Sequence, residues 1–167
     1  MAETIDIRLA TAADYGILAD IMFAAVRCGR SAYSEQQRQA WVPEKRGGPE
    51  WDERLGAQVI FVAADASRSV GFMSLGANGY IDFAYVRPSS QGQGVFRRLY
   101  EAIERLAACN NEPRLWVHAS LMARDPFAAM GFTVTREEVV EIRGQPLKRF
   151  EMEKRLSLET NVDSVEA

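Results

Sequence analysis

The chain holds one histidine and two cysteines in 167 residues. A lone His118 excludes a multi-histidine metal centre. Cys28 and Cys109 lie far apart without metal-like company, which excludes a zinc finger and a disulfide framework, so no metal is expected. With no paired thiols, a reduced, cytoplasmic setting is expected. No apolar run approaches the roughly 20 residues of a membrane-spanning helix. Met1-Ala2-Glu3-Thr4 lacks the basic stretch and apolar run of a signal peptide, and no membrane partner is expected. Positive charge is not in excess either: the formal net charge is -3. A nucleic-acid partner, which needs a basic face, is therefore not expected. The segment 27–54 looks basic, but Glu35, Glu44, Glu50, Asp52 and Glu53 nearly cancel its arginines and lysines, so it reads as a solvated mixed-charge face.

What remains is ample apolar material. Hydrophobic residues make up 47% of the chain, enough to bury one real core. No repeat and no linker divides it. The expectation is one domain over residues 1–156, followed by a polar, acidic and frayed tail over 157–167.

Local patterns order the elements. Ile5 to Leu9 alternates as a strand does, and Thr11 to Asp14 resembles a capping box ahead of the helical run Ile17, Leu18, Ile21, Met22 and Ala25. Ser34 caps a second helix that Pro43 stops beyond Trp41, Gly47-Gly48-Pro49 breaks the chain, and a short helix follows around Trp51 to Leu55. Three strands then succeed one another: Val59 to Ala64, Val70 to Leu75 and Tyr80 to Val86. Val95, Leu99, Ile103 and Leu106 mark the buried face of a long helix, whose wet face carries Arg97, Glu101 and Arg105. Arg114 to Ala119 reads as a strand and Leu121 to Met130 as a short helix. Phe132 to Ile142 and Leu147 to Leu156 read as two strands around Gly144-Gln145-Pro146.

The richest run lies between the third strand and the long helix: Val86-Arg87-Pro88-Ser89-Ser90-Gln91-Gly92-Gln93-Gly94-Val95-Phe96. Strand, glycine loop, helix is the order that makes an anion site. The first N–H groups of a helix lack intrahelical partners, and the helix dipole adds positive potential there. Gly92 and Gly94 let a bulky anion approach the main chain. The competing reading is a plain connector. A Gly-Lys-Ser/Thr ending and a full G-x-G-x-x-G are both absent, which excludes a P-loop and a dinucleotide fingerprint.

In its order of elements and its motifs, the chain resembles the GNAT N-acetyltransferase superfamily. The family motif Q/R-x-x-G-x-G/A after a strand reads here Gln91-Gly92-Gln93-Gly94-Val95-Phe96. A second landmark is met by Ser120, Ala123, Phe127 and Gly131-Phe132. Tyr33, Trp41-Val42-Pro43 and Trp51 are similar to small bacterial YafP-like members. The resemblance spans about residues 5–155. It implies an α/β (α+β) fold: a mixed, mostly antiparallel twisted sheet with helices on both faces and two splayed central strands, Tyr80 to Val86 and Arg114 to Ala119. It implies transfer of an acetyl group from acetyl-CoA to a primary amine on a small molecule or peptide. Pantetheine is expected against the backbone of Ala84, Tyr85 and Val86. The pyrophosphate is expected on Gln91, Gly92, Gln93, Gly94, Val95 and Phe96. Arg97 or Arg98 meets the remaining phosphate, and Ser120, Arg124 and Phe127 complete the cofactor site. Exposed strand edges leave room for a homodimer.

The sequence departs from the family twice. Phe96 replaces a glycine or alanine, and Phe127 replaces the tyrosine that serves as general acid. A thiol of pKa about 8.5 leaves tolerably without such help. The attacking amine must lose a proton, and three residues are candidates to take it. Asp82 is the odd residue in an apolar strand, where alternation puts it on one face with Tyr80 and Ala84. His118 lies on the neighbouring strand with a suitable intrinsic pKa. Tyr33 reaches in from the helical region as base, acid or substrate contact. Asp82 and His118 each have a structural alternative: a carboxylate satisfied by its neighbours and a satisfied structural histidine. Trp41 and Trp51 either wall an acceptor pocket or pack on the sheet, the mixed-charge segment 27–54 is expected to form the acceptor wall, and Cys109 reads as inert filling. The competing function is a non-catalytic acyl-CoA-binding or sensing module, to be preferred if neither Asp82 nor His118 lines the cleft.

Overall fold

The computed structural model describes residues 4–157. Beyond Ser157, the tail assigned to 157–167 lies outside the described residues. The strands are β1 (Asp6–Leu9), β2 (Val59–Ala64), β3 (Ser69–Leu75), β4 (Tyr80–Ile81), β5 (Ala84–Val86), β6 (Arg114–Ser120), β7 (Thr133–Ile142) and β8 (Gln145–Arg155). The helices are α1 (Tyr15–Arg27), α2 (Glu35–Trp41), α3 (Gly48–Gly56), α4 (Val95–Cys109) and α5 (Arg124–Ala129). One antiparallel sheet runs β1-β2-β3-β5, and a second runs β4-β6-β8-β7. Among the described residues, only the β4–β6 pair is parallel.

Helices cover both faces of the first sheet. The four-residue spacing of Val95, Leu99, Ile103 and Ala107 buries one stripe of α4 against Val86, Leu115, Val117 and Met152. On the opposite face Leu18, Ile21, Trp51 and Leu55 from α1 and α3 pack on Ile60, Val62, Phe72 and Phe83. Squeezed between the two layers, every residue of β3 is buried. The Ser34 cap holds: Gln37 N–H donates to Ser34 Oγ at 3.1 Å, and Ser34 N–H to Gln37 Oε1 at 2.8 Å.

Several local expectations are corrected. Gly48 and Pro49 do not break the chain but open α3, because a proline in the first helical turn forfeits an N–H that has no partner anyway. The expected helix 121–130 shortens to α5, with Pro126 in its first turn for the same reason. The turn before β8 is two residues, Arg143 and Gly144, both at positive φ, and Ile142 pairs Gln145. Cys109 is exposed rather than filling, as is Cys28. No helix among the described residues is long and apolar enough to cross a membrane.

The largest correction concerns Tyr80 to Val86. It is one extended chain shared by two sheets, not one strand. Tyr80 and Ile81 pair with Trp116 and Val117 of β6, while Ala84 to Val86 pair with β3. Between them Phe83 N–H donates to Ser74 Oγ at 2.9 Å, and its carbonyl accepts from Ser74 N–H at 2.9 Å. This irregularity shifts the side-chain phase. Ile81 faces the α4 side, yet Phe83 faces the α1 side, so simple alternation fails across Asp82. Past Val117 the two chains part, and the sheets open into a wedge.

Candidate active site

The glycine loop closes one end of the wedge. Gly92 and Gly94 hold φ of 76° and 80°, and Gly94 is the N-cap of α4 with no side-chain cap. Among the described residues, the N–H groups from Gly92 to Arg97 donate to no backbone or side-chain acceptor; the ladder resumes at Arg98 N–H to Gly94 C=O, 3.1 Å. A Cβ on either glycine meets no atom within 4 Å, so the cradle is open. Such consecutive unpartnered donors at a helix start bind anions. Arg30 and Arg97 line the adjoining cavity. Arg98 does not: its guanidinium donates to the Ile5 carbonyl and ties α4 to the chain before β1.

That cavity, about 450 Å³, runs from the loop along β5 to the start of α5. Its walls include Ala84, Tyr85, Val86, Gln91, Gly92, Gly94, Val95, Phe96 and Ser120. Phe83 C=O and Arg87 N–H face β3, so by alternation the backbone groups of Ala84 and Val86 face the wedge, whereas those of Tyr85 turn to β3. Gln91 Nε2 donates to the Val86 carbonyl at 3.1 Å, spending its side chain on holding the loop.

Three predicted cofactor residues keep their side chains out of that cavity. Gln93 is exposed, its amide on the Ser89 carbonyl at 3.4 Å. Arg124 is exposed, with its guanidinium over the Phe150 ring at 4.8 Å. Phe127 is buried, edge-to-face with Phe96 and Phe132 at 5.0 Å each. The bulky Phe96 is thus absorbed by packing on Phe127, and the position of the expected acid lies in the core.

A second, polar cavity of about 150 Å³ adjoins the first; Trp41, Tyr85 and Ser120 line both. All three predicted catalytic side chains line it. Asp82 is saturated: Arg54 Nε and Nη2 donate to its oxygens at 2.9 and 2.7 Å, and Gln58 Nε2 at 2.8 Å. Tyr33 is also committed, donating to Lys148 C=O and accepting from Leu121 N–H at 3.1 Å; burial raises its pKa. It staples the α2 region to β8 and the end of β6. His118 Nδ1 shares a 3.1 Å hydrogen bond with the Tyr80 hydroxyl, and Nε2 lies 3.8 Å from Glu138. Burial, then the Arg149 charge, lowers the His118 pKa, so the imidazole is neutral near pH 7 and able to accept a proton.

Two residues were missed by sequence reasoning. The Tyr85 side chain, counted only for its backbone, projects to the junction of the cavities; burial and the Asp82 charge raise its pKa and keep it protonated. Arg46 was not singled out within the mixed-charge segment, yet it lines the second cavity and its Nε is buried without a partner. No group of three or more metal-ligating side chains gathers among the described residues.

The sequence matches the family described as "Acetyltransferase (GNAT) domain" over residues 30–156. The chain belongs to the GNAT acetyltransferase family. It is 32% identical to the uncharacterized N-acetyltransferase YafP of Escherichia coli (strain K12), over 90% of this chain and 95% of the relative. Its fold is similar to that of a GCN5-related N-acetyltransferase (aminotransferase, class-II) from Rhodopseudomonas palustris: TM-score 0.82, 29% identity, 93% of this chain and 98% of the other. It is also similar in fold to the PaiA N-acetyltransferase of Thermoplasma acidophilum, solved with coenzyme A: TM-score 0.71, 18% identity, 92% and 99% covered.

Proposed function

We propose that the chain moves an acetyl group from acetyl-CoA to a primary amine by direct attack in a ternary complex. The observation that carries this is the meeting of two cavities at Trp41, Tyr85 and Ser120. One is a long cleft that begins at unpartnered N–H groups; the other is polar and holds a neutral histidine. The Thermoplasma acidophilum neighbour carries coenzyme A, and the present cradle suits the same pyrophosphate.

In this reading the pyrophosphate lies on Gly92 to Arg97, with Arg30 and Arg97 adding charge. Ala84 and Val86 offer backbone groups to pantetheine and polarise the thioester carbonyl. The amine enters from the second cavity and its nitrogen attacks the carbonyl carbon. The proton it sheds passes to His118, directly or through Tyr80, and the carbon–sulfur bond breaks to release thiolate. Tyr85 donates a hydrogen bond to that thiolate. Its hydroxyl is a far weaker acid than a thiol, so it steadies the leaving group rather than fully protonating it. Asp82 fixes Arg54, and Tyr33 fixes the wall. Because Asp82 and His118 both line the second cavity, transfer is favoured over a passive acyl-CoA-binding module.

Calorimetric titration tests the reading. Acetyl-CoA and CoA bind and ATP does not; with an amine present, thiol is released. Tyr85→Phe retains CoA binding and slows release about 10- to 100-fold. No binding of either CoA species overturns the reading.

A further inference from the structure

We propose that the acceptor is a small primary amine bearing a single carboxylate, anchored by Arg46; this rests on the acetyl-transfer reading above. The second cavity is lined by three arginines, and two of them are already matched. Arg54 is spent on Asp82 through two donors, and Arg149 Nε donates to Glu138 at 2.6 Å. Arg46 forms no ion pair among the described residues. Its Nη2 donates to the Trp41 carbonyl at 3.2 Å, which holds the guanidinium beside the junction of the two cavities, while its Nε stays buried and unpartnered.

An unmatched, partly buried cation beside other arginines is costly unless something brings an anion to it. Burial and the Arg143 and Arg54 charges lower the Arg46 pKa, the direction expected of a cation without a partner. The planar guanidinium fork matches a carboxylate. One unmatched positive charge calls for one negative charge. Beside the polar Tyr33, Tyr80 and His118, Met22, Phe83, Val140, Ile142 and Leu147 give the cavity an apolar patch. A cavity of about 150 Å³ takes a group about the size of a benzene ring. Carboxylate, amine and one compact apolar group together describe an amino acid with an apolar side chain.

The test compares three forms of one acceptor. Phenylalanine, leucine and methionine are offered beside their carboxamides and their decarboxylated amines, with thiol release as readout and CoA affinity measured separately. At least one acid is expected to exceed its amide and its amine by about tenfold or more in kcat/KM. Arg46→Gln is expected to erase that preference through KM rather than kcat, with CoA affinity and Tm retained, and Arg46→Lys to restore part of it. Equal or better use of amides or amines overturns the proposal, as does an Arg46→Gln variant that weakens all three forms alike. Absence of transfer to any of the acids while acetyl-CoA still binds also overturns it and leaves the cosubstrate reading standing. Failure to bind acetyl-CoA removes both.

Discussion

His118 is the residue whose chemistry a pH profile reads. It can accept a proton only when neutral, and its pKa is held below the ordinary 6.5 by burial and by Arg149. Transfer should therefore lose activity on the acid side below pH 6.5, not above it. His118→Gln should remove that limb and lower kcat about 100-fold or more, with CoA affinity unchanged. A variant that keeps the limb places the base elsewhere. Phe127 tests the opposite case. A tyrosine there sits at the family's acid position, yet this ring is packed among Phe96 and Phe132. Phe127→Tyr should bring no gain in kcat and should bury a hydroxyl at a cost of about 1–3 kcal/mol, read as a lower Tm. A faster enzyme would show that the ring reaches the thiolate after all. These residues mark the limit of what the chain's text conveys. Phe127 was found by its spacing, but spacing does not say which way a ring points. The roles of Arg46 and Tyr85 depend on what other segments leave unmatched around them, and no local pattern records that.

At the scale of elements, the loop into α4 was legible because all its information is local: a strand, two glycines at a fixed interval, then an apolar stripe. The capping residue Ser34 was legible for the same reason. Tyr80 to Val86 was not, because its phase shift arises from a bond to Ser74 on another strand. The loop's prediction follows from backbone angle alone. At Gly94, φ of 80° forces a side chain into the left-handed region, although nothing crowds the Cβ. Gly94→Ala should cost about 1–2 kcal/mol, which is a Tm fall of about 2–8 °C. The added methyl also stands over the N–H cradle, so CoA affinity should drop about tenfold or more. Unchanged affinity would take the loop out of the binding site.

At the scale of the whole molecule, the two sheets share one segment of chain and then separate. Helices on both faces and two splayed strands were foreseen in outline through the family resemblance. The order in which strands pair was not, since pairing joins segments far apart in sequence. The division of labour along Ala84 to Val86 gives a measurable contrast. The amides of Ala84 and Val86 face the wedge, whereas that of Tyr85 faces β3. In hydrogen exchange, acetyl-CoA should slow the first two by about tenfold or more and leave Tyr85 protected in both states. Equal slowing of all three would point to a general tightening instead of ligand pairing along β5.

The wedge also bears on how fast a ligand can arrive. It is held apart by the Phe83–Ser74 bonds and by chain connectivity, and among the described residues no lid has to swing away to expose it. Entry should therefore be a single encounter. The observed rate in rapid mixing should climb in proportion to ligand concentration, without the plateau that a preceding isomerisation imposes. Differences in affinity among acyl-CoA species should then appear in how long each stays.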